Sequence, residues 1–322
     1  MSDYYGLYGQ KVQYLASDPT DVQIGQVWYN STSATLKVRN ATTAGTFASG
    51  GNLGTGGYAF GYAGTQTAGL LAGAYTGTYN GNSAKYNGTA WTSIPATCPK
   101  YAYHAGAGTQ TAAIFAGGYG GASNLDDVNY FNGTTFSPQT VLPSGRSNMG
   151  AAGTQTSTLI FGGSSGYLTT TNEWDGSSWT AGGSLNTGRT QVGGAGTQTA
   201  GLAFGGAIPG SQSAATELYN GTSWTNNPTG LNTARNNFAG YGTQTSAGVF
   251  GGATPSPTSA AEIWNGTTWS TNPNNMPTSL NQHRGCGTVA AGLSWGGSPG
   301  LSVVTLEFTG PGAAQTQTIT VT

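Results

Sequence analysis

The chain has 322 residues, of which 6% are charged, and its 9 basic and 10 acidic side chains leave a net charge of −1. So little charge, so evenly balanced, argues against nucleic acid or an anionic membrane as partner, and no apolar run reaches the length of a membrane span. A chain this long can bury a large shared core without disulfide or metal, so the two cysteines, Cys98 and Cys286, read as buried thiols.

The first residues, Met1-Ser2-Asp3-Tyr4-Tyr5, lack the basic start and apolar stretch of a secretion signal, and cytosolic synthesis is expected. Tyr4, Tyr5, Tyr8 and Tyr14 make an aromatic arm too short to fold alone, which is expected to order against a partner or a sister subunit. Then comes Gly25-Gln26-Val27-Trp28-Tyr29-Asn30, a strand-like Thr35 to Val38, and a Gly/Thr/Ala-rich linker from Thr42 to Gly57. Residues 1–52 are expected to form an extended arm and β-hairpin, and residues 53–322 a separate domain.

That domain is a repeat array. Gly-Thr-Gln-Thr begins at Gly64, Gly108, Gly153, Gly196 and Gly242, at spacings of 44, 45, 43 and 46 residues. Glycine pairs or their remnants recur from Gly73-Ala74 to Gly296-Gly297, so a sixth copy exists without its Gly-Thr-Gln-Thr. Each Gly-Thr-Gln-Thr lies between two runs of small and apolar residues and predicts a hairpin. A second hairpin is predicted at an aromatic, Asn-Gly or Asp-Gly, and a following aromatic, as in Tyr219-Asn220-Gly221 with Trp224, the dipeptide supplying positive φ angles to a tight turn. Four short strands per repeat follow, with Trp91, Trp179, Trp224 and Trp269 as candidates for the core between neighbouring sheets. For the sixth repeat the fourth strand is expected from the tail, Gln315 to Val321, although Ala313 stands where a Trp is expected. The alternative source is the segment Gly25 to Arg39.

With Arg146, Arg189, Arg235 and Arg284 before the first strands, Lys100 and Gly57 at the corresponding places in repeats two and one, and the glycine pairs and aromatics above, the array resembles the kelch-repeat family over residues 53 to 310. The resemblance implies an all-β fold: a six-bladed kelch-type β-propeller preceded by the arm and hairpin. It implies no particular activity, since propellers host unrelated functions. The Gly-x-x-Trp-Tyr-Asn hairpin, in turn, is similar to short hairpins of structural and tail-fibre proteins of tailed bacteriophages.

Residue supply speaks against catalysis. His104 and His283, the two histidines, are placed at unlike repeat positions and do not suggest a metal pair, Glu217 and Glu262 are repeat-equivalent, and Asp126-Asp127 is an isolated loop pair. No catalytic residue, metal or cofactor is expected. Lys100, Arg146, Arg189, Arg235 and Arg284 read as one repeat position, hence a basic ring on one face. Its first reading is that each guanidinium ties down a neighbouring loop, its second an anion-binding mouth for acidic glycans. Exposed Tyr75, Tyr79, Tyr119 and Tyr167 offer stacking surfaces for sugars.

The expected function is therefore a noncatalytic virion protein, made in the host cytoplasm and carried on the particle. Tyr4, Tyr5, Tyr8, Tyr14, Trp28 and Tyr29 would dock to other virion proteins, and the repeat domain would be displayed as a tail fibre or adhesin binding host-surface glycan, as a homo-oligomer. A capsid head-decoration protein, a cellular kelch scaffold and, last, a carbohydrate-active enzyme are the alternatives.

Overall fold

A computed structural model describes residues 12–20, 25–41, 44–99, 102–312 and 314–319. Tyr4, Tyr5, Tyr8, Lys100 and Ala313 lie outside them. The chain divides into two compact units, one of residues 46–309 and one combining residues up to 45 with those from 310 onward.

The larger unit contains six four-stranded antiparallel sheets and a two-stranded ribbon, with no helix among the described residues. Sheets 1 to 5 are each contiguous in sequence, over 61–94, 105–139, 150–181, 193–226 and 239–272. Sheet 6 takes Arg284–Gly287, Ala291–Trp295 and Thr305–Thr309, and completes itself with Thr46–Ser49. That fourth strand comes from the segment read as a linker, and neither the tail nor Gly25 to Arg39 supplies it. Phe47 explains the choice: it pairs with Phe308, packs against Phe250, and so fills an aromatic place that the tail has no residue to fill.

The expected kelch-type propeller needs correction. Among the described residues, strand pairing joins no sheet to the next and closes none into a propeller or barrel. Over the described residues the fold is a helix-free all-β array of repeated four-stranded antiparallel sheets.

Neighbouring sheets pack face to face instead. The first strands of successive sheets lie side by side, as does that of sheet 6 with that of sheet 1. Glycine permits the approach: a Cβ on Gly106 would stand 2.1 Å from the Tyr62 carbonyl oxygen, and one on Gly194 2.3 Å from that of Ala151. Farther along the sheets the gaps hold large side chains. Trp224 and Trp269 are buried, while Trp91 and Trp179 are half-buried against the same kind of cluster. Each of Trp91, Trp224 and Trp269 donates its indole N–H at 2.9 Å to a threonine of the preceding sheet, Thr305, Thr171 and Thr216 respectively. A buried indole thus gains both apolar area and a partner for its one polar atom.

Backbone hydrogen bonds also link repeats outside the sheets. Two residues before each first strand stands a residue with φ between 54° and 60°: Ala59, Tyr103, Asn148, Gln191, Asn237 and Gln282. The N–H groups of Tyr103, Asn148 and Gln191 each donate to the carbonyl of the corresponding residue one repeat earlier, at 2.8 to 2.9 Å. Gln282 does the same to Asn237 at 2.6 Å, and Ala59 to Gln282 at 3.0 Å.

The Asn-Gly landmarks are four-residue loops and not two-residue turns. Tyr86 pairs with Trp91 across the loop, and the Asn87 side chain accepts from the N–H groups of Thr89 and Ala90 at 3.0 and 2.9 Å. The asparagine closes the loop with its side chain, leaving Gly88 alone to adopt positive φ. Asp175 does the same with Ser177 and Ser178, whose hydrogen bonds hold its carboxyl well below the usual range.

The smaller unit is a four-stranded sheet ordered Gln13–Leu15, Val27–Asn30, Thr35–Ala41 and Ala314–Ile319. The predicted hairpin pairs Val27 with Val38 and Asn30 with Thr35. The tail pairs antiparallel with its second strand and belongs to this unit.

Candidate functional site

The arginines come first. Arg146, Arg189 and Arg235 each stand four residues before a first strand, and all three are buried. Arg189 donates from Nη1 to the carbonyls of Gly205 and Ala215, at 3.0 and 2.8 Å, and from Nη2 to Glu217 Oε1 at 2.7 Å. Glu217 Oε2 accepts from both the backbone and the side chain of Asn186 at 2.8 Å, and Asn186 Nδ2 also reaches the Trp224 carbonyl. Sheet 5 repeats the set with Arg235, Glu262 and Asn232. In sheet 3 Arg146 bonds the Thr170 carbonyl and the amide oxygen of Asn172, which replaces the glutamate. Burial lowers the pKa of all three guanidinium groups, Arg146 to about 10, and the carboxylates oppose that shift at Arg189 and Arg235. These are loop ties made inside each sheet's own seam, with Arg189 and Arg235 buried as ion pairs.

The predicted basic ring is not one repeat position. Arg284 is the first residue of its strand, and Leu280 stands where Arg146, Arg189 and Arg235 stand in their repeats. The lost Gly-Thr-Gln-Thr of repeat six removed the mark that would have fixed its register. Arg284 lines a small cavity of about 30 Å³ with Tyr62, Tyr103, His104, Asn148 and Asn237, room for water-sized occupants. Its Nη1 donates to the His283 carbonyl at 3.0 Å. Burial pushes the Tyr103 phenol up to about 12 and that of Tyr62 upward.

The two histidines are repeat-equivalent, each immediately before a first strand or its register counterpart, where Phe60 and Phe238 stand in repeats one and five. His104 Nε2 lies 2.8 Å from the Ala72 carbonyl, and both rings are buried between sheets. The missing Gly-Thr-Gln-Thr again hid the equivalence.

Of the predicted sugar-stacking tyrosines, three lie in one aromatic chain with Tyr58. Tyr58 stacks on Tyr75 at 5.0 Å, Tyr75 meets Tyr79 at 5.1 Å, and Tyr79 meets Tyr119 at 5.5 Å. Tyr167 stands apart at an exposed turn.

In the smaller unit Trp28 is buried and its indole N–H donates to Asp18 at 3.0 Å. The same carboxylate accepts from Asn30 Nδ2 at 2.7 Å and from Lys37 Nζ at 2.6 Å. Trp28 is therefore a core residue of its sheet. Tyr14, 76% exposed, stacks on Tyr29 at 5.1 Å and forms an accessible aromatic surface among the described residues of this unit.

Among the described residues no three metal-ligating side chains gather, and no helix is long and apolar enough to cross a membrane. No protein-family model matches the chain, and no curated protein sequence matches it.

Proposed function

We propose that the chain is a noncatalytic structural protein of a virus particle, the smaller unit docking to other particle proteins and the repeat unit serving as a displayed, host-contacting adhesin. The observation that carries this reading is the division of labour between the units. The repeat unit uses its buried arginines and glutamates to tie its own seams, which suits a durable displayed body. The smaller unit, built on the Trp28-Tyr29-Asn30 hairpin, presents the Tyr14–Tyr29 stack, an aromatic surface of the kind that interfaces favour.

Tyr14→Ser with Tyr29→Ser removes that surface without touching the buried Trp28. Mass spectrometry of purified particles should find the unaltered chain and lose the double variant, while both proteins keep the same melting temperature. Absence of the unaltered chain from particles overturns the assignment, and equal incorporation of the variant overturns the docking role of the stack.

A further inference from the structure

The seam tie of sheets 4 and 5 has three members, an arginine four residues before the first strand, an asparagine three residues before that, and a glutamate two residues before the third-strand aromatic. Sheet 6 puts leucines at the arginine and glutamate places, Leu280 and Leu306, which join one buried cluster. In sheet 1 the three places hold Gly57, Gly54 and Ala84. At the arginine place Phe60 and Thr76 close in, within 3.1 Å of where a Cβ on Gly57 would stand, but at the other two places nothing replaces the missing side chains, and a cleft of about 280 Å³ lined by Gly54 and Ala84 opens there.

We infer that this cleft is a binding site for a single neutral pyranose, such as the terminal sugar of a glycan. Its floor is apolar, made by the buried Leu53, Leu71 and Ala84, and the half-buried Trp91 indole lines it. Trp91 is held by its N–H bond to Thr305, so the indole is pre-positioned. Asn82, Ser93 and Thr97 line the exposed rim with amide and hydroxyl groups, and no lysine, arginine, aspartate or glutamate borders the cleft. An apolar floor, one aromatic wall and a few neutral donors and acceptors match a sugar ring, whose C–H face is apolar and whose edge is hydroxylated. The volume is close to that of ordinary small-ligand sites. A charged ligand would find no counter-charge in the cleft. The inference deepens the adhesin reading by naming the ligand class and the place.

The test titrates the purified full chain with methyl α-D-glucopyranoside, methyl β-D-galactopyranoside and N-acetylglucosamine, following tryptophan fluorescence and saturation-transfer NMR. Two variants fill the cleft: Gly54→Leu, where an added Cβ meets nothing within 4 Å, and Ala84→Leu, which copies Leu306. Saturable binding of at least one sugar in the millimolar range or tighter, weakened tenfold or more by Gly54→Leu in a protein of unchanged melting temperature, is the expected result. Ala84→Leu should act in the same direction. Absence of saturable binding by all three sugars overturns the proposal, and so does binding that Gly54→Leu leaves unchanged. Because the titration uses the isolated chain, its failure leaves the particle assignment standing, and loss of that assignment leaves the titration interpretable.

Discussion

Gln66, in the first hairpin turn of sheet 1, donates its side-chain amide to the carbonyls of Phe308 and Gly292 in sheet 6, each at 3.0 Å. The glutamine of every Gly-Thr-Gln-Thr does the same to the preceding sheet: Gln110 to Gly69 and Tyr86, Gln155 to Ala113 and Phe131, Gln198 to Thr158 and Trp174, Gln244 to Gly201 and Tyr219. The motif is an inter-sheet clamp that satisfies two carbonyls with one NH₂ group. Replacing Gln155 by Val, the residue at that place in repeat six (Val289), strands two partly buried acceptors. The expected cost is about 1–3 kcal/mol, read as a lower urea midpoint, with Gln139→Val, whose amide bonds only within its own strand, as the near-neutral control.

The Arg235–Glu262 pair, 2.7 Å apart and about 1% exposed at each side chain, sits where sheet 6 has Leu280 and Leu306. Glu262→Leu alone leaves a buried guanidinium without its counter-ion and should destabilise by about 3–5 kcal/mol. Arg235→Leu with Glu262→Leu should recover most of that loss, since buried ion pairs often exchange for apolar pairs near neutrally. Chemical denaturation of the two single variants and the double variant measures the coupling. A double variant no more stable than Arg235→Leu and less stable than Glu262→Leu would show that the loop carbonyls of Gly251 and Ala260, which Arg235 also binds, dominate the tie.

These two relationships show where the sequence was readable. Four strands per repeat and the seam tryptophans follow from the spacing of Gly-Thr-Gln-Thr, Asn-Gly and Trp, because strand alternation and turn chemistry are local. Which segment completes sheet 6 is a long-range choice: Thr46–Ser49 pairs with residues 305–309 through the fit of Phe47 beside Phe308, and no local period marks it. A period of about 45 residues with four strands per repeat fits one propeller blade as the kelch resemblance does, yet the sheet topology does not bear propeller closure out, because a local period carries no information about how successive sheets are joined. The seam ties were half legible: Arg189 and Arg235 stood out as repeated, and Glu217 and Glu262 as equivalent, but their pairing joins residues 28 and 27 apart. The cleft beside Trp91 carries no positive sequence signal, being marked by Gly54 and Ala84 where sheets 4 and 5 have an asparagine and a glutamate.

Asp18 anchors the smaller unit. Hydrogen bonds from Lys37, Asn30 and Trp28 hold its carboxyl down to about 2 from an ordinary 3.8. A depressed folded pKa means that the contribution is present above about pH 4 and lost as pH falls through about 2. Asp18→Ala should remove this pH response and speed hydrogen exchange at the Trp28 indole and in Val27–Asn30, while exchange across residues 46–309 stays as it was. Unchanged exchange at the Trp28 indole would mean that burial alone holds the hairpin.

His283 is wholly buried, and desolvation, aided by the neighbouring Arg284 charge, drives its pKa down to about 3 from 6.5. The folded state therefore holds a neutral ring, while the unfolded chain takes up a proton below about pH 6.5. Stability must fall as pH drops from there toward 3, by about 1.4 kcal/mol per unit at most, or about 2 kcal/mol at pH 5. Phenylalanine occupies the equivalent place in repeats one and five, at Phe60 and Phe238, both buried, so His283→Phe keeps a large ring there and removes the proton. Urea unfolding at pH 7 and pH 5 should show a smaller loss in His283→Phe than in the unaltered chain. Carboxylates titrate in both proteins, so the difference between the two losses isolates the histidine, and identical losses would show that the folded ring takes up its proton as readily as the unfolded chain does.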